Sequence, residues 1–165
     1  MIRPLALTLG EPAGIGPDIT LAVWQRRDEL ALPPFYLLAD PDFLARRAQQ
    51  LGLDVPLCVV EPDAAAKIFP TALPVVALAE RVTAEPGQPD QSSGPAAIAS
   101  IRRAVADVFA GRAHAVVTNP VAKAVLYRTG LATGLVTTAW ARPANTSATA
   151  RRMEAIAAGA LDASG

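Results

Sequence analysis

Leu5–Trp24 reads LALTLGEPAGIGPDITLAVW, a short apolar run, a glycine-rich loop and the opening of a helix. Leu5, Ala6, Leu7, Thr8 and Leu9 have the pattern of a strand covered on both faces. Gly10 ends the run, and Glu11 to Gly16 form a loop carrying Pro12, Gly14 and Gly16. Pro17 suits the first position of a helix, where its missing N–H costs nothing. Asp18 then stands at the positive end of the helix dipole. A strand–loop–helix corner of this kind is either a structural turn or a ligand site, with an anion as the natural ligand. GEPAGIG does not fit the dinucleotide fingerprint G-x-G-x-x-G, and it lacks the Gly-Lys-Ser/Thr of a Walker A loop.

A second strand-to-helix corner lies at Ala115 to Lys123, AVVTNPVAK. Thr118 and Asn119 stand at the carboxyl end of its strand, where open α/β sheets place their ligands. Asn119 has two readings, a cap for a helix beginning at Pro120 or a ligand contact. Lys123, one turn further on, either faces solvent or reaches back to an anion.

Taken together, LTLGEPAGIGPDITL and AVVTNPVAK resemble the 4-hydroxythreonine-4-phosphate dehydrogenase family of vitamin B6 biosynthesis. The family opens with a strand followed by Gly-Glu-Pro-(Ala/Ser)-Gly-Ile-Gly-Pro-(Glu/Asp), then has a strand followed by Thr-(Gly/Ala/Asn)-Pro-(Ile/Val)-x-Lys. The resemblance covers roughly residues 2–130. It implies a three-layer α/β/α fold of the isocitrate/isopropylmalate dehydrogenase type, with a mixed or parallel sheet, here incomplete. The implied reaction is oxidation of the secondary alcohol of 4-phosphohydroxy-L-threonine by NAD or NADP, followed by loss of carbon dioxide. In full-length members a divalent metal (zinc, magnesium or cobalt) serves the reaction, and the enzyme is a homodimer. Carried onto this sequence, the matching positions give Glu11, Gly14, Gly16, Asp18, Thr118, Asn119 and Lys123 as candidates for substrate or anion contact.

The resemblance breaks after Gly130. The family's Pro-Gly-His-Thr-Glu motif, its three metal-binding histidines and its later basic residues for the substrate phosphate have no counterpart here. Residues 131–165 are rich in Ala, Thr and Arg, and form either one helix, over Ala148 to Leu161, or a disordered tail. Shifting the frame by one nucleotide at Gly134–Thr137 permits codons for Pro-Gly-His, so a frameshift is one source of this tail. The expectation is therefore two parts, 1–130 and 131–165, with no catalytic or metal residue assigned and no cofactor bound by the chain itself. Two alternatives remain: a related dehydrogenase for another phosphorylated or carboxylated hydroxy acid, or a non-catalytic anion-binding α/β module.

Composition agrees with a globular α/β protein. The 165 residues are 52% hydrophobic and 18% charged, with zero formal net charge, which points away from nucleic acid and anionic membranes. One cysteine, Cys58, excludes an intrachain disulfide and suits a reducing, cytoplasmic setting. The one histidine, His114, is read as a surface residue, since a transition-metal site needs further ligands.

Further elements follow from local pattern. Phe35–Ala39 reads as a buried strand, Asp40 as the cap of a helix over about 42–51, and Gly52 as its stop. Leu57–Val60 and Val75–Leu78 read as strands, and Ala96–Ala110 as a helix with Ser93 as its cap. Thr83–Gly94, with its prolines and glycines, reads as irregular. Arg102, Arg103 and Asp107 are placed on the solvent side of that last helix and given no role.

Overall fold

The computed structural model describes residues 3–121. Its sheet has five strands, β1 (Leu5–Thr8), β2 (Phe35–Ala39), β3 (Leu57–Val59), β4 (Leu73–Ala77) and β5 (Val116–Val117). The spatial order is β3-β4-β2-β1-β5, and every pairing is parallel. Helices α1 (Gly16–Gln25), α2 (Pro41–Gln50), α3 (Ala65–Ile68) and α4 (Ser93–Phe109) make the crossovers. The expected α/β architecture is thus present, in its all-parallel form.

Alternation along the strands divides the core. Leu5, Leu7 and Phe35 face α1 and α2, where Leu21, Trp24, Ala48 and Phe69 complete one cluster. The Trp24 indole N–H donates to the Phe69 carbonyl at 3.1 Å, so this large side chain is buried with its polar atom satisfied. Ala6, Tyr36, Leu38 and Val76 face the other way, toward Ala65 of α3 and Ala104 of α4. A third cluster gathers near the carboxyl ends of the strands, where Leu9 and Ala13 pack with Ala39, Phe43, Val82, Ala84 and Ala96.

The expected cap and stop of α2 are present. Asp40 accepts from the Asp42 N–H at 3.1 Å, and Gly52 has φ +65°. Asp40 does more than cap, because its second oxygen accepts from the Val82 N–H at 3.0 Å and so ties down the chain beyond β4. Other boundaries shift. Strand β4 starts at Leu73 and includes Pro74, which pairs with Cys58 one residue before the ladder to β2 begins at Val75. The Pro-rich passage after β3 holds a 3₁₀ turn, Pro62–Ala64, and then α3, neither of which the sequence reading contained. Helix α4 begins at Ser93, so Ser93 is its first residue and Pro95 lies in its first turn. Ser92 holds the cap position and makes no side-chain cap bond.

Asp107 departs from the solvent-side reading given to it with Arg102 and Arg103. It is fully buried and accepts from the Tyr36 hydroxyl at 2.8 Å, from Arg103 Nε at 2.9 Å and from Arg112 Nη2 at 2.7 Å. Burial raises its carboxyl, but the bonds from Tyr36, Arg112 and Arg103 outweigh that and hold it below the usual aspartate range. Burial, and then the carboxylate, push the Tyr36 phenol upward. Arg102 is exposed as read and Arg103 is half-buried, while Phe109, read into the apolar stripe, is 57% exposed.

Candidate functional site

The two corners singled out in the sequence meet at the carboxyl ends of β1 and β5, which are neighbours in the sheet. Successive connections leave β1 toward β2 and enter β5 on the opposite side of β1. This is the switch point at which open α/β sheets bind ligands.

Close packing explains the glycines. Gly10 has φ +74°, and a Cβ there would stand 2.7 Å from both Asn119 Cβ and the Pro120 carbonyl oxygen. At Gly16 a Cβ would stand 2.8 Å from the Leu9 carbonyl oxygen and 3.0 Å from Asn119 Cβ. The Glu11 N–H donates to the Pro120 carbonyl at 2.9 Å, so the loop is stitched to the chain leaving β5. Within the loop, the Gly14 N–H donates to the Glu11 carbonyl at 2.9 Å and the Ala13 N–H to Glu11 Oε1 at 3.3 Å.

The irregular reading of Thr83–Gly94 is refined here. A narrow turn closed by a bridge between Glu85 and Gln88 lies against the loop, with the Gly87 N–H donating to the Ala13 carbonyl at 2.7 Å. Ser100 of α4 supports the corner from the other face. Its hydroxyl accepts from the Leu9 N–H at 2.8 Å and donates to the Leu38 carbonyl at 3.0 Å.

The candidate residues divide by what they touch. Asn119 is 9% exposed, and its Nδ2 donates to the Thr8 carbonyl and to Thr20 Oγ1, both at 2.9 Å. Its backbone N–H donates to Thr8 Oγ1 at 3.2 Å. These bonds join β1, α1 and the chain leaving β5 in a cross-strand clasp. Asp18 is engaged with α2, where Arg47 Nη2 donates to its Oδ2 at 2.8 Å. Glu11 and Gly16 are buried, Gly14 is half-buried, and Thr118 is exposed at the rim beside Val117. Lys123 lies outside the described residues, as does the expected tail at 131–165.

Asn119→Ala is expected to cost about 1–3 kcal/mol, since it strands the Thr8 carbonyl in a dry corner. Urea denaturation of variant and parent checks this. An apolar groove of about 240 Å³ runs beside the clasp, lined by Leu5, Leu7, Ile19, Val23, Phe35 and Val117.

His114 is exposed, and its backbone N–H donates to the Pro4 carbonyl at 2.8 Å. Among the described residues no three His, Cys, Asp or Glu side chains converge on a point where a metal ion could sit. The described residues therefore do not fit the divalent metal that the resemblance implies.

Comparison with known proteins decides the family. The model of the family described as pyridoxal phosphate biosynthetic protein PdxA matches residues 31–158. This chain belongs to the PdxA family. A 4-hydroxythreonine-4-phosphate dehydrogenase from Bradyrhizobium diazoefficiens is 64% identical over 136 residues, which is 78% of this chain and 39% of the relative. One from Xanthomonas axonopodis pv. citri is 40% identical over 133 residues, 80% of this chain and 39% of the relative. The chain thus spans about two fifths of the length of the PdxA relatives it matches.

Solved structures agree on the fold. A 4-hydroxythreonine-4-phosphate dehydrogenase from Klebsiella pneumoniae aligns with a TM-score of 0.68 at 25% identity, over 84% of this chain and 43% of that one. A terephthalate 1,2-cis-dihydrodiol dehydrogenase from Burkholderia xenovorans LB400 aligns with a TM-score of 0.66 at 25% identity, over 87% of this chain and 42% of that one. Members of the PdxA family have the isocitrate/isopropylmalate dehydrogenase-like fold, and the parallel sheet with helices on both faces is a portion of it.

Proposed function

We propose that this chain corresponds to the N-terminal portion of a 4-hydroxythreonine-4-phosphate dehydrogenase and forms one wall of its cleft. The whole enzyme would oxidise 4-phosphohydroxy-L-threonine to 2-amino-3-oxo-4-phosphohydroxybutyrate. That product decarboxylates to 3-amino-2-oxopropyl phosphate on the way to pyridoxal 5'-phosphate. The observation that carries this reading is the 64% identity to the Bradyrhizobium relative over 136 residues. NAD or NADP, when bound, supplies the hydride acceptor. The dehydrogenase would act as a cytoplasmic homodimer.

In this reading the chain's own residues position and seal. Asn119, Gly10 and Gly16 hold the two corners in contact, and Ser100 fixes the ends of β1 and β2 beneath them. Thr118 and the Gly14–Ile15 edge, which are not buried, are what the wall presents to a ligand. The described residues supply neither a base nor a metal site, and the 165-residue chain alone is expected to be inactive.

The similarity to the terephthalate dihydrodiol dehydrogenase favours a second reading, a related dehydrogenase for a carboxylated substrate. A chimera separates the two. Residues 1–130 of this chain replace the matching portion of the Bradyrhizobium enzyme, and nicotinamide reduction is followed with each substrate and added zinc, cobalt or magnesium. Turnover of 4-phosphohydroxy-L-threonine is expected. A folded chimera that turns over only a cis-dihydrodiol carboxylate would overturn the proposal, as would turnover by the 165-residue chain alone.

A further inference from the structure

Glu11 is 7% exposed, yet its carboxylate is poorly matched to its surroundings. Its Oε1 accepts a long 3.3 Å bond from the Ala13 N–H, and its Oε2 is closed to solvent with no hydrogen-bond partner among the described residues. A buried carboxylate oxygen without a donor raises the free energy of whatever conformation holds it there. Described arginines near this end of the sheet are engaged elsewhere: Arg46 with the Val82 carbonyl, Arg47 with Asp18, and Arg81 with Asp40 and Asp42. The glycine-rich loop is therefore folded against the preference of its own side chain.

The same loop shows where that conflict is released. Its two ends are wedged, since a Cβ at Gly10 or at Gly16 would collide with Asn119, and the Glu11 N–H is held 2.9 Å from the Pro120 carbonyl. Between those ends the backbone is held lightly. The Gly14 N–H donates to the Glu11 carbonyl at 2.9 Å, and the Gly87 N–H donates to the Ala13 carbonyl at 2.7 Å. Gly14 lies directly over the Glu11 side chain, because a Cβ there would stand 3.4 Å from Glu11 Cβ and 3.5 Å from its Cγ. Opening would expose only the Pro12 ring and the Ala13 methyl, the buried apolar groups of this stretch.

We propose that Pro12–Ile15 form a latch loaded by the buried Glu11 carboxylate. The latch lifts between fixed ends, breaks the Gly14 and Gly87 bonds together and gives Oε2 to solvent, while the joint with β5 stays closed. An open latch adds a carboxylate to the corner, the opposite of what an anion site requires.

Amide hydrogen exchange on the whole chain reads this opening, with Leu5 and Ala6 of β1 as references. In the parent the Gly14 and Gly87 amides are expected to exchange about a hundredfold faster than those references, once corrected for intrinsic rates. Glu11→Gln keeps the shape and removes the charge, and is expected to slow Gly14 and Gly87 by about tenfold. Both amides should slow by the same factor, because one opening releases both. Glu11→Met, which removes both oxygens, is expected to slow Gly87 as well and to raise Tm. Inorganic phosphate is expected to change neither rate. Exchange of Gly14 and Gly87 no faster than Leu5 and Ala6 in the parent would overturn the proposal. So would exchange that Glu11→Gln leaves unchanged or speeds up, a response of Gly14 that Gly87 does not share, or slowing by phosphate.

Discussion

Alanine at Gly10 is expected to lower the stability of the chain by about 2–5 kcal/mol, the sum of a left-handed backbone penalty and forced overpacking. The conformational part follows from φ +74°. The packing part follows from two contacts at 2.7 Å, one of them with the backbone oxygen of Pro120, which cannot swing aside as a side-chain tip would. Gly52 supplies the control. Its φ is +65°, and a Cβ there would meet nothing within 4 Å. Gly52→Ala should therefore show the conformational part alone, about 1–2 kcal/mol. Equilibrium urea denaturation of the two variants measures the difference. Equal losses at the two positions would mean that the corner has room to move and that β5 is not wedged against the loop.

Removal of the Asp107 carboxylate is the second large effect. Asp107→Ala leaves the Tyr36 hydroxyl buried without its acceptor, takes the acceptor from Arg112, and leaves Arg103 with Glu61 at 3.3 Å. Breaking a buried charged network costs about 3–5 kcal/mol. The two arginines here are one third to one half exposed and recover water, so about 2–4 kcal/mol is expected. The folded carboxyl lies below its ordinary value, so its contribution is fully present above the unfolded pKa of about 3.9. It is lost as pH falls through the folded value. The gap in stability between the parent and Asp107→Asn should accordingly hold from neutral pH to about 4 and shrink below that. A gap that stays constant into stronger acid would show that Asp107 acts by packing alone.

What the sequence disclosed was local. Strands β1, β2 and β5 showed as short apolar runs, and α2 announced itself by Asp40 before it and Gly52 after it. Those signals act over a few residues, where backbone physics and residue type are directly linked. Helix α3 was masked by the prolines around it, since Pro62 and Pro70 speak for turns while the four helical residues between them are too few for a periodicity. Asp107 was misread because Arg103 and Asp107, four apart on a helix, look like an exposed pair. Only the return of Tyr36 from β2, 71 residues away in sequence, shows that the carboxylate is inside. Asn119 is the same lesson at the site. Its place before a proline is visible in the sequence, but the partners of its amide, Thr8 and Thr20, lie 111 and 99 residues away. Resemblance located the two corners, and packing assigned their parts: Gly10, Gly16 and Asn119 join them, Asp18 pairs with Arg47 of α2, and Thr118 is exposed.

The claim at the centre of this account is that the cleft wall is already assembled in this portion of the chain, with the glycine-rich loop and the β5 corner forming one joint. Amide hydrogen exchange tests it residue by residue. The Leu9, Glu11 and Asn119 amides, bonded to Ser100, Pro120 and Thr8, should exchange with the same opening free energy as Leu5 and Ala6 of β1, whose amides bond Pro34 and Ala115. Exchange of Leu9, Glu11 and Asn119 at the rate of an open loop, while Leu5 and Ala6 stay protected, would show that the wall is not built.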